Sequence, residues 1–560
     1  MQTRTILAVV LSILVFLVFT YFGQYYGPKP SPESPPPPTA EPAAPAPAPE
    51  GKPATAATAP AKPGSSSRQA REVLVDTDLY RAVFTEQGAT LKSFQLKNFK
   101  QSLPIETISR LSLGPVSFEL ERFKDQGAAA PNFKELVTAA PNQARPLSLT
   151  WEGRELTVPA TLIYEANAPA LTLKGGDTGA LTFKGVTPEG VEITRTFQFK
   201  GQSYVFDLKT TLANRTSQNL EGKLNLSLTG TATGQPQDVQ GLAILVDNAF
   251  KEFKSGELKE PKVFADKVQW LGLNELYFLA AAVPVGAPNV QATLAETPPN
   301  QLAATLNLPD KVSAGQEAQS SNSFYFGPKD ISELRAANLG LDRVVDFGWF
   351  DWLARPSLFF LNWLNSYIHN YGWSLIVLTI LLRLVFWWPN HKSFQSMKVM
   401  QKIQPRVAEL REKYKDDREA MNRELMNLYR TFKVNPLGGC LPMVLQLPVF
   451  LALYNLLSSS IELRHAAFIP TLPFTNIVWL ADLSAKDPLL ITPIIMGATM
   501  FIQQKMSPSP GDPAQAKMMM FLPLIFTFLF LNFASGLVIY WLVNNVLAIL
   551  QQYFTNKYLD

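Results

Sequence analysis

Six apolar runs separate a membrane part of the chain from a soluble part. Five of them lie close together near the C-terminal end, and one lies at the beginning. They cover residues 6–22, 373–388, 441–457, 489–502, 518–533 and 537–550. Runs of this composition and approximate length are typical of membrane spans. The pattern therefore predicts an α-helical polytopic membrane protein with six transmembrane helices.

The first run favours a retained signal anchor over a cleaved signal peptide. Arg4 precedes it, and Tyr21, Phe22 and Tyr25 end it with aromatic residues typical of a membrane interface. Signal peptidase prefers small residues at this position. We interpret residues 1–27 as the first transmembrane helix.

Several later runs are short for a hydrocarbon core of about 30 Å. Prolines 442, 448, 493 and 523 also interrupt their helical turns. We therefore expect a mismatch with the surrounding lipid and hypothesise that the bilayer is locally thinned.

Between the first two runs the chain changes from a tether to strands. Residues 28–71 are rich in proline, alanine and serine, which predicts an extended linker without a core. Residues 72–330 show the two-residue alternation of strands, with frequent turn residues. The apolar side chains that share one face are Val191, Ile193, Phe197 and Phe199, then Tyr204, Phe206, Leu208 and Leu212, then Leu224, Leu226 and Leu228. We predict a soluble all-β sandwich inserted after the first span.

An aromatic-rich helical region follows at residues 331–371. Its composition predicts an amphipathic helix on the membrane surface, with a buried domain helix as the alternative. Asn362, Asn365 and His369 recur at helical spacing and predict a solvated stripe. Pro356 predicts a broken or restarted helix.

The charges of the short loops predict the orientation of residues 372–560, which hold the last five spans. Lysine and arginine are dense between residues 390 and 439, whereas residues 459–487 carry only Arg464 and Lys486. Because basic loops remain on the cytoplasmic side, the first loop is predicted to be cytoplasmic. With six spans, both termini are then cytoplasmic and the β-domain is on the opposite side, the periplasm of a cell that has one.

The basic loop contains a predicted helical hairpin at about residues 392–433. Apolar residues recur every three or four positions in two segments, which favours two paired amphipathic helices. Pro405 is expected to start or kink the first helix. The basic residues of the hairpin include Lys402, Arg406, Arg411, Lys413, Arg418 and Arg423. They could meet lipid headgroups, ribosomal RNA or a partner protein, or form a solvated face.

Composition narrows the possible chemistry. The formal charge of +4 is too small to indicate general nucleic-acid binding. The three histidines lie at positions 369, 391 and 465, so the predicted β-domain has none for histidine-based catalysis. Cys440 is the single cysteine, which excludes an intramolecular disulfide and a two-cysteine or Cys/His metal site. We predict no enzyme activity, no metal and no cofactor.

Arg383 is the most informative residue of the membrane part. It lies within the apolar run 373–388, about 9 Å from the predicted cytoplasmic end. An arginine at mid-span costs about 2.5 to 3.5 kcal/mol on insertion scales, so it requires a carboxylate, water or access to the headgroups. The predicted spans contain no carboxylate. The alternative is that Arg383 extends its side chain to the headgroups.

Polar residues of neighbouring spans predict a groove around this arginine. The candidates are Thr379, Gln446, Asn455, Gln503, Gln504, Asn532, Ser535, Tyr540, Asn544 and Asn545. Together with Arg383 they predict a hydrated, cationic cavity in the cytoplasmic half of the bilayer. Such a cavity attracts acidic polypeptide and lowers the cost of admitting a polar segment, while apolar helices guide a hydrophobic segment into lipid. This mechanism requires no nucleotide.

Several motifs occur in an order that resembles a known family. They are Lys433-Val-Asn-Pro-Leu-Gly-Gly-Cys-Leu-Pro442, Gln446-Leu-Pro-Val-Phe-Leu-Ala-Leu-Tyr454, Glu462-Leu-Arg464, Met496-Gly-Ala-Thr-Met500, Gln504-Lys-Met-Ser-Pro508 and Ser535-Gly-Leu-Val-Ile-Tyr540. This combination is similar to the YidC insertases of Gram-negative bacteria, in the YidC/Oxa/Alb family. The resemblance is close over residues 373–553.

The resemblance implies a function and a set of contacts. It implies a membrane protein insertase and chaperone in the bacterial inner membrane, which acts on nascent membrane proteins alone or with the Sec translocon. It also implies a periplasmic supersandwich similar to sugar-mutarotase folds and a groove arginine corresponding to Arg383. Substrate contacts along the third and fifth spans are expected at Gln446, Leu447, Phe450, Phe526 and Phe530. A long basic C-terminal tail of the kind that some relatives have is missing, so ribosome contact is expected to be weaker and to depend mainly on the hairpin and the short loop at residues 506–517.

Two other functions are compatible with parts of the pattern. A small-molecule or ion transporter is the main alternative, although transporters usually couple through intramembrane acids or repeated halves, and neither is visible. A membrane-anchored carbohydrate-binding or cell-envelope enzyme would place its function in the β-domain.

Overall fold

The computed structural model describes residues 69–113, 116–124, 132–140, 143–232, 239–265, 267–286, 290–432, 441–506 and 513–558. The predicted first helix at 1–27, the linker as far as residue 68 and Cys440 lie outside these ranges.

The first part of the described chain is built from strands. They are β1 (Glu72–Asp76), β2 (Tyr80–Thr85), β3 (Thr90–Lys100), β4 (Ile105–Leu113), β5 (Val116–Phe123), β6 (Phe133–Glu135), β7 (Ser148–Glu152), β8 (Glu165–Ala166), β9 (Ala170–Thr172), β10 (Thr178–Val186), β11 (Glu192–Lys200), β12 (Val205–Ala213), β13 (Leu220–Thr231), β14 (Val239–Val246), β15 (Ala249–Lys254), β16 (Lys262–Phe264), β17 (Val268–Glu275), β18 (Phe278–Val285), β19 (Gln291–Thr297), β20 (Gln301–Val312) and β21 (Glu317–Pro328). Two short strands, β22 (Ile469–Thr471) and β23 (Val478–Leu480), follow in a later loop.

Three large sheets form the β-domain. The largest has the strand order β15-β14-β17-β18-β21-β12-β11-β10-β8, and the two five-stranded sheets have the orders β16-β19-β20-β13-β7 and β6-β3-β2-β1-β9. The predicted alternation is confirmed, because Phe197 pairs with Leu208 in register and both are 1% exposed or less. Leu226 is likewise 2% exposed. The apolar faces of the sheets therefore form the core of the domain.

The second part of the described chain is helical. Its helices are α1 (Ile331–Ala336), α2 (Asp351–Ile368), α3 (Tyr371–Val385), α4 (Trp387–Lys413), α5 (Arg418–Thr431), α6 (Leu441–Ser459), α7 (Ile491–Met506), α8 (Pro513–Phe530) and α9 (Ser535–Tyr558). Short 3-10 turns lie at Leu341–Val344, Gly348–Phe350 and Ile461–Leu463.

Helix α2 is amphipathic, but its polar side faces the protein. Asn362 donates a hydrogen bond to Glu462 at 3.2 Å and is half-buried, so the predicted solvated stripe is wrong for this residue. The exposed side is aromatic, with Trp352 69% and Phe359 75% exposed. The predicted break at Pro356 is also wrong, because α2 continues through it. A proline in the second turn removes only one hydrogen bond, and packing of the helix offsets that loss.

Helices α4 and α5 form the predicted hairpin, joined by residues 414–417. Ile403, Val407 and Leu425 are buried on their inner faces, with exposures of 2%, 4% and 9%. Pro405 was expected to start or kink the first helix. It does not start it, because α4 begins at Trp387 and continues through the proline.

The predicted second span is shorter than its apolar run. Helix α3 ends at Val385, and the chain bends by 60° before α4 continues. Among the described helices, only Ser535–Thr555 of α9 is long and apolar enough to cross a membrane alone, and the bent pair α3 and α4 passes the same test together. The apolar parts of α6 and α8, Leu445–Ser459 and Met519–Phe530, are shorter.

The β-domain contacts the loop between α6 and α7. The guanidinium of Arg464 donates to the backbone oxygen of Gln101 at 3.0 Å and lies over the rings of Tyr277 and Phe278 at 5.9 and 5.2 Å. The next residue, His465, lies 3.9 Å from the carboxylate of Asp482. Charged and aromatic groups therefore join the two parts of the described chain.

Candidate functional site

A cleft opens among α3, α4, α6 and α9. It contains about 330 Å³ of space free of protein atoms, counting the solvent at its mouth. Its polar lining consists of Thr379, Arg383, Asn390, Gln446, Tyr540 and Asn544. Its apolar lining consists of Leu382, Phe386, Leu445 and Val449. The cleft thus combines one cation with several neutral hydrogen-bonding groups.

Arg383 lies in the last turn of α3, and its side chain turns into the cleft. The residue is only 8% exposed. Its Nη1 donates to the Oδ1 of Asn544 at 3.5 Å, the outer limit of a hydrogen bond, and its Nε is buried without a hydrogen-bond partner among the described residues. No carboxylate in the described part of the chain forms an ion pair with it. The guanidinium is therefore a buried cation with unused donor capacity.

Two other predicted residues lie across the cleft from one another. Gln446 on α6 donates from its Nε2 to the hydroxyl of Tyr540 on α9 at 3.5 Å. This distance is long, so the amide and the phenol are only loosely paired. They connect the two helices that face α3.

Thr379 lines the cleft but does not offer its hydroxyl proton to it. Its Oγ1 donates to the backbone oxygen of Leu375 at 2.7 Å, within the same helix. A hydroxyl bonded to the preceding turn in this way has its donor satisfied. The residue therefore contributes an accepting oxygen at most.

Three of the other polar candidates, Asn455, Ser535 and Asn545, bond to groups outside the cleft. Asn545 donates to Thr499 on α7 at 3.4 Å, so adjacent asparagines of α9 serve different contacts. Asn455 donates to the backbone oxygen of Phe347 at 2.8 Å, and Ser535 donates to that of Asp482 at 3.1 Å. Asn455 and Ser535 therefore bond to the backbone of loops outside the cleft.

Asn390 is a cleft residue that the sequence pattern did not single out. It lies on α4 just after the bend and is 4% exposed. In the sequence it appears as the first residue of a polar loop after Pro389, where nothing marks it as buried. The bend between α3 and α4 brings it back beside Arg383.

The predicted substrate-contact residues fall into two groups. Leu447 is 40% exposed on α6. Phe450, Phe526 and Phe530 instead pack around Trp541, with ring centroids 4.9, 5.9 and 5.3 Å from it. Phe530 is only 1% exposed, so it lies inside this aromatic cluster and not on its surface.

Helix α8 adds an apolar surface beside this aromatic cluster. Phe521, Leu524, Ile525 and Phe528 are all about half exposed or more, with Leu524 at 67%. The region thus presents a polar cleft on one side and an apolar helical surface on the other.

Four of the basic hairpin residues are exposed on α4 and α5. Lys402, Lys413 and Arg423 are exposed, and Arg411 is half-buried. Arg406 is also exposed, and its guanidinium lies 5.1 Å from the ring of Phe432. Arg418 is the first residue of α5. No cluster of histidine, cysteine, aspartate or glutamate suited to a metal ion occurs among the residues that the structure describes.

Two family models cover most of the chain. The model described as the 60Kd inner membrane protein matches residues 363–560, which contain the cleft. The model described as the YidC periplasmic domain matches residues 115–361. Together they account for both the helical part and most of the β-domain.

Curated relatives are similar along nearly the whole chain. Proteins called membrane protein insertase YidC from Oleidesulfovibrio alaskensis and Geotalea daltonii are 40% and 38% identical to it. The alignments cover 98% of this chain and 98% of the first relative, and 100% of this chain and 99% of the second. The crystal structure of an active YidC insertase matches 87% of this chain and 93% of its own, at 16% identity and a TM-score of 0.36. On its relatives and family models, this chain belongs to the YidC family of membrane protein insertases, inner membrane proteins with a periplasmic domain.

Proposed function

We propose that the cleft around Arg383 is the hydrated, cationic groove through which this insertase receives nascent membrane proteins. A polar segment of the substrate enters the groove while its hydrophobic segment moves sideways into the bilayer. The observation that carries this proposal is the burial of Arg383 without a carboxylate partner in the described residues. A cation in that state attracts acidic groups and requires solvation by water or substrate.

The energetics favour passage without nucleotide hydrolysis. Burying a polar group without a hydrogen bond costs about 2 to 7 kcal/mol, depending on the reference state. Donors and acceptors at Arg383, Gln446 and Asn544 lower that cost for a polar segment that must pass the inner half of the membrane. Release of the hydrophobic segment into lipid supplies the driving force.

The proposed topology has six spans. The N- and C-termini are cytoplasmic and the β-domain is periplasmic in the bacterial inner membrane, in line with the dense basic charge of the α4 and α5 hairpin. The short apolar parts of α6 and α8 support local thinning of the bilayer.

The proposed substrate path follows α6 and α8. Gln446 and Leu447 meet the substrate beside the cleft, and the packed rings of Phe450, Phe526 and Phe530 support this part of the path. The exposed apolar side chains of α8 then guide a hydrophobic segment toward lipid.

Partners are proposed from the outer surfaces. The exposed lysines and arginines of α4 and α5 meet lipid headgroups or the ribosome. The protein acts alone or with the Sec translocon, and it also helps its substrates to fold. Deleting residues 399–433 should weaken insertion while the membrane core remains folded, and unchanged insertion would remove the role of the hairpin.

Site-specific photocrosslinking tests the proposed path. A photoreactive residue at position 447 should capture stalled nascent chains of membrane proteins in native membranes. The matched control is position 263, which is exposed on β16 of the β-domain and should capture few of them. Strong capture at 263 with none at 447 would place the substrate contact in the β-domain and contradict the proposal.

A further inference from the structure

The hairpin of β4 and β5 stands apart from the sheets of the β-domain. The two strands form a separate two-stranded sheet, with Leu111 paired to Phe118 and Arg110 paired to Glu119. An isolated two-stranded hairpin is only marginally stable in water. Its position therefore depends on contacts with another part of the chain.

Those contacts come from the loop that leads into α7. Lys486 donates from its Nζ to the Oγ of Ser117 at 2.6 Å and to the carboxylate of Glu119 at 3.2 Å. The backbone N–H of Glu119 donates to the oxygen of Pro488 at 2.9 Å. Arg110 also lies 3.4 Å from Glu119. Lys486 and Pro488 thus hold one polar face of the hairpin. Pro488 lies three residues before the beginning of α7 at Ile491.

Leu111 and Phe118 form an exposed apolar pair on the opposite face of the hairpin. Successive side chains of a strand point to opposite faces, so Leu111 and Phe118 lie on the face away from Arg110 and Glu119. Leu111 is 57% exposed and Phe118 is 38% exposed. A large apolar cross-strand pair at the end of a hairpin is a surface that water does not favour.

The position of this face indicates what covers it. Helix α7 exposes Ile494 and Ile495, 59% and 46%, within about one turn of its beginning. In the proposed topology, α7 begins at the periplasmic surface, and these exposed apolar side chains face lipid. Since the backbone N–H of Glu119 donates to the oxygen of Pro488, the hairpin lies beside the beginning of that helix.

The size of the patch favours lipid over a protein. A stable protein interface buries about 1,200 to 2,000 Å² in total, which two or three side chains cannot supply. Burial of about 5 to 10 Å into the headgroup boundary is sufficient for a small amphipathic element.

We propose that the Leu111 and Phe118 face of this hairpin inserts into the outer interfacial layer of the bilayer and holds the β-domain against the membrane. The proposal rests on the topology of the proposed function, because it requires the beginning of α7 to lie at the periplasmic surface.

Lipid quenching of site-specific fluorophores tests this contact in the full chain. Cys440→Ser gives a background in which Leu111→Cys, Phe118→Cys, Val263→Cys and Ile494→Cys each carry one polarity-sensitive dye. The labelled proteins are reconstituted in vesicles of phosphatidylethanolamine and phosphatidylglycerol with bromine near the top of the acyl chains. Residue 494 reports whether α7 enters the bilayer, and residue 263 is the exposed apolar control in the β-domain.

The result expected is quenching at 111 and 118 about half as strong as at 494, with almost none at 263. If the dye at 494 is quenched but the dyes at 111 and 118 are quenched no more than the dye at 263, the hairpin contact is overturned and the topology is left intact. Absence of quenching at 494 would overturn the topology and the hairpin contact together. If the dye at 111 reports an apolar environment that is lost when the protein is diluted with lipid, a second copy of the chain covers the patch, which also overturns the lipid contact.

Discussion

The Nη1 of Arg383 donates to the Oδ1 of Asn544 at 3.5 Å, while the adjacent Asn545 turns to Thr499 on α7. Of two neighbouring asparagines on one helix, Asn544 therefore faces the cleft and Asn545 faces α7. The distance is long enough that Asn544 positions the guanidinium without neutralising its need for water or substrate.

Replacement of these asparagines should distinguish the two roles. Asn544→Ala removes the acceptor of a charged donor, worth about 1 kcal/mol at this distance, and should reduce insertion of substrates with acidic tails about fivefold. Asn545→Ala should lower the thermal stability more than the insertion yield. Insertion assays in vesicles and thermal unfolding in detergent measure both. Equal loss of insertion in the two variants would contradict a specific role for Asn544.

The folded chain should lose stability in acid because of His465, which lies in the loop between α6 and α7. Burial, assisted by the charge of Arg464, lowers the pKa of His465 from its ordinary value near 6.5 to about 4. Lys100 acts in the same direction and Asp482 opposes it. Between these values the unfolded chain binds a proton that the folded chain does not. Stability present at pH 7 is therefore lost as the pH falls toward 4, by at most about 3 kcal/mol.

Thermal unfolding between pH 7.5 and about 4.5 measures this effect. His465→Asn should reduce the loss of stability that occurs as the pH falls. Asparagine suits the left-handed backbone at this position, where φ is 58°. The matched control is His369→Asn, which has φ of 57° and an exposed ring. If His465→Asn and His369→Asn leave the same pH dependence as the parent chain, the buried imidazole is not its cause.

A buried ion pair within the β-domain should be more sensitive than an exposed pair of the same length. Lys134 and Glu275 lie 3.0 Å apart with side chains 1% and 4% exposed. Lys134→Met leaves the carboxylate buried and should reduce the free energy of unfolding by about 3 to 5 kcal/mol. Adding Glu275→Gln to that variant removes the buried charge and should restore much of the lost free energy of unfolding.

Lys267 and Asp247 provide the control for that pair. They are also 3.0 Å apart, but both side chains are 69% exposed. Lys267→Met should therefore change the free energy of unfolding by less than about 1 kcal/mol. Denaturant or thermal unfolding of the full chain compares the two substitutions, and similar losses would show that burial does not govern the Lys134 pair.

Gly497 should be required for the close approach of α7 and α8. A Cβ at this position would lie 1.9 Å from the Oγ1 of Thr527 and 3.0 Å from its Cβ. Gly497→Ala should separate the helices and cost about 1 to 3 kcal/mol in stability, measured by thermal unfolding in detergent. Thr527→Ala in the same chain removes the closest atom and should recover part of the loss. No recovery would mean that the strain lies elsewhere.

The sequence pattern predicted which faces are buried better than which residues meet. Alternation in β11 assigned Phe197 and Phe199 to the core, and they are there. The same face also carries Arg195, fully buried, whose guanidinium donates to the backbone oxygens of Gly88 and Leu147. Those acceptors are distant in the chain, so periodicity could not supply them.

Local rules also failed where tertiary packing opposes them. Pro356 and Pro405 each lie inside a continuous helix because one lost hydrogen bond is small compared with the burial of the helix faces. Asn362 was expected to face water, yet it bonds to Glu462, whose pKa is raised by burial. For the candidate site, composition identified Arg383 and Tyr540, whereas Asn390 required knowledge of the bend that follows α3.

Charge exchange between Arg383 and a substrate tests the groove most directly. Insertion into vesicles is measured for matched substrates whose translocated tail carries aspartates, lysines or neither, with the parent chain, Arg383→Lys, Arg383→Ala and Arg383→Glu. If the groove cation attracts acidic segments, Arg383→Ala slows the aspartate substrate while the chain remains folded, Arg383→Lys retains most activity, and Arg383→Glu shifts the preference toward lysine tails. Equal insertion of all three substrates by all four folded proteins would contradict a cationic groove.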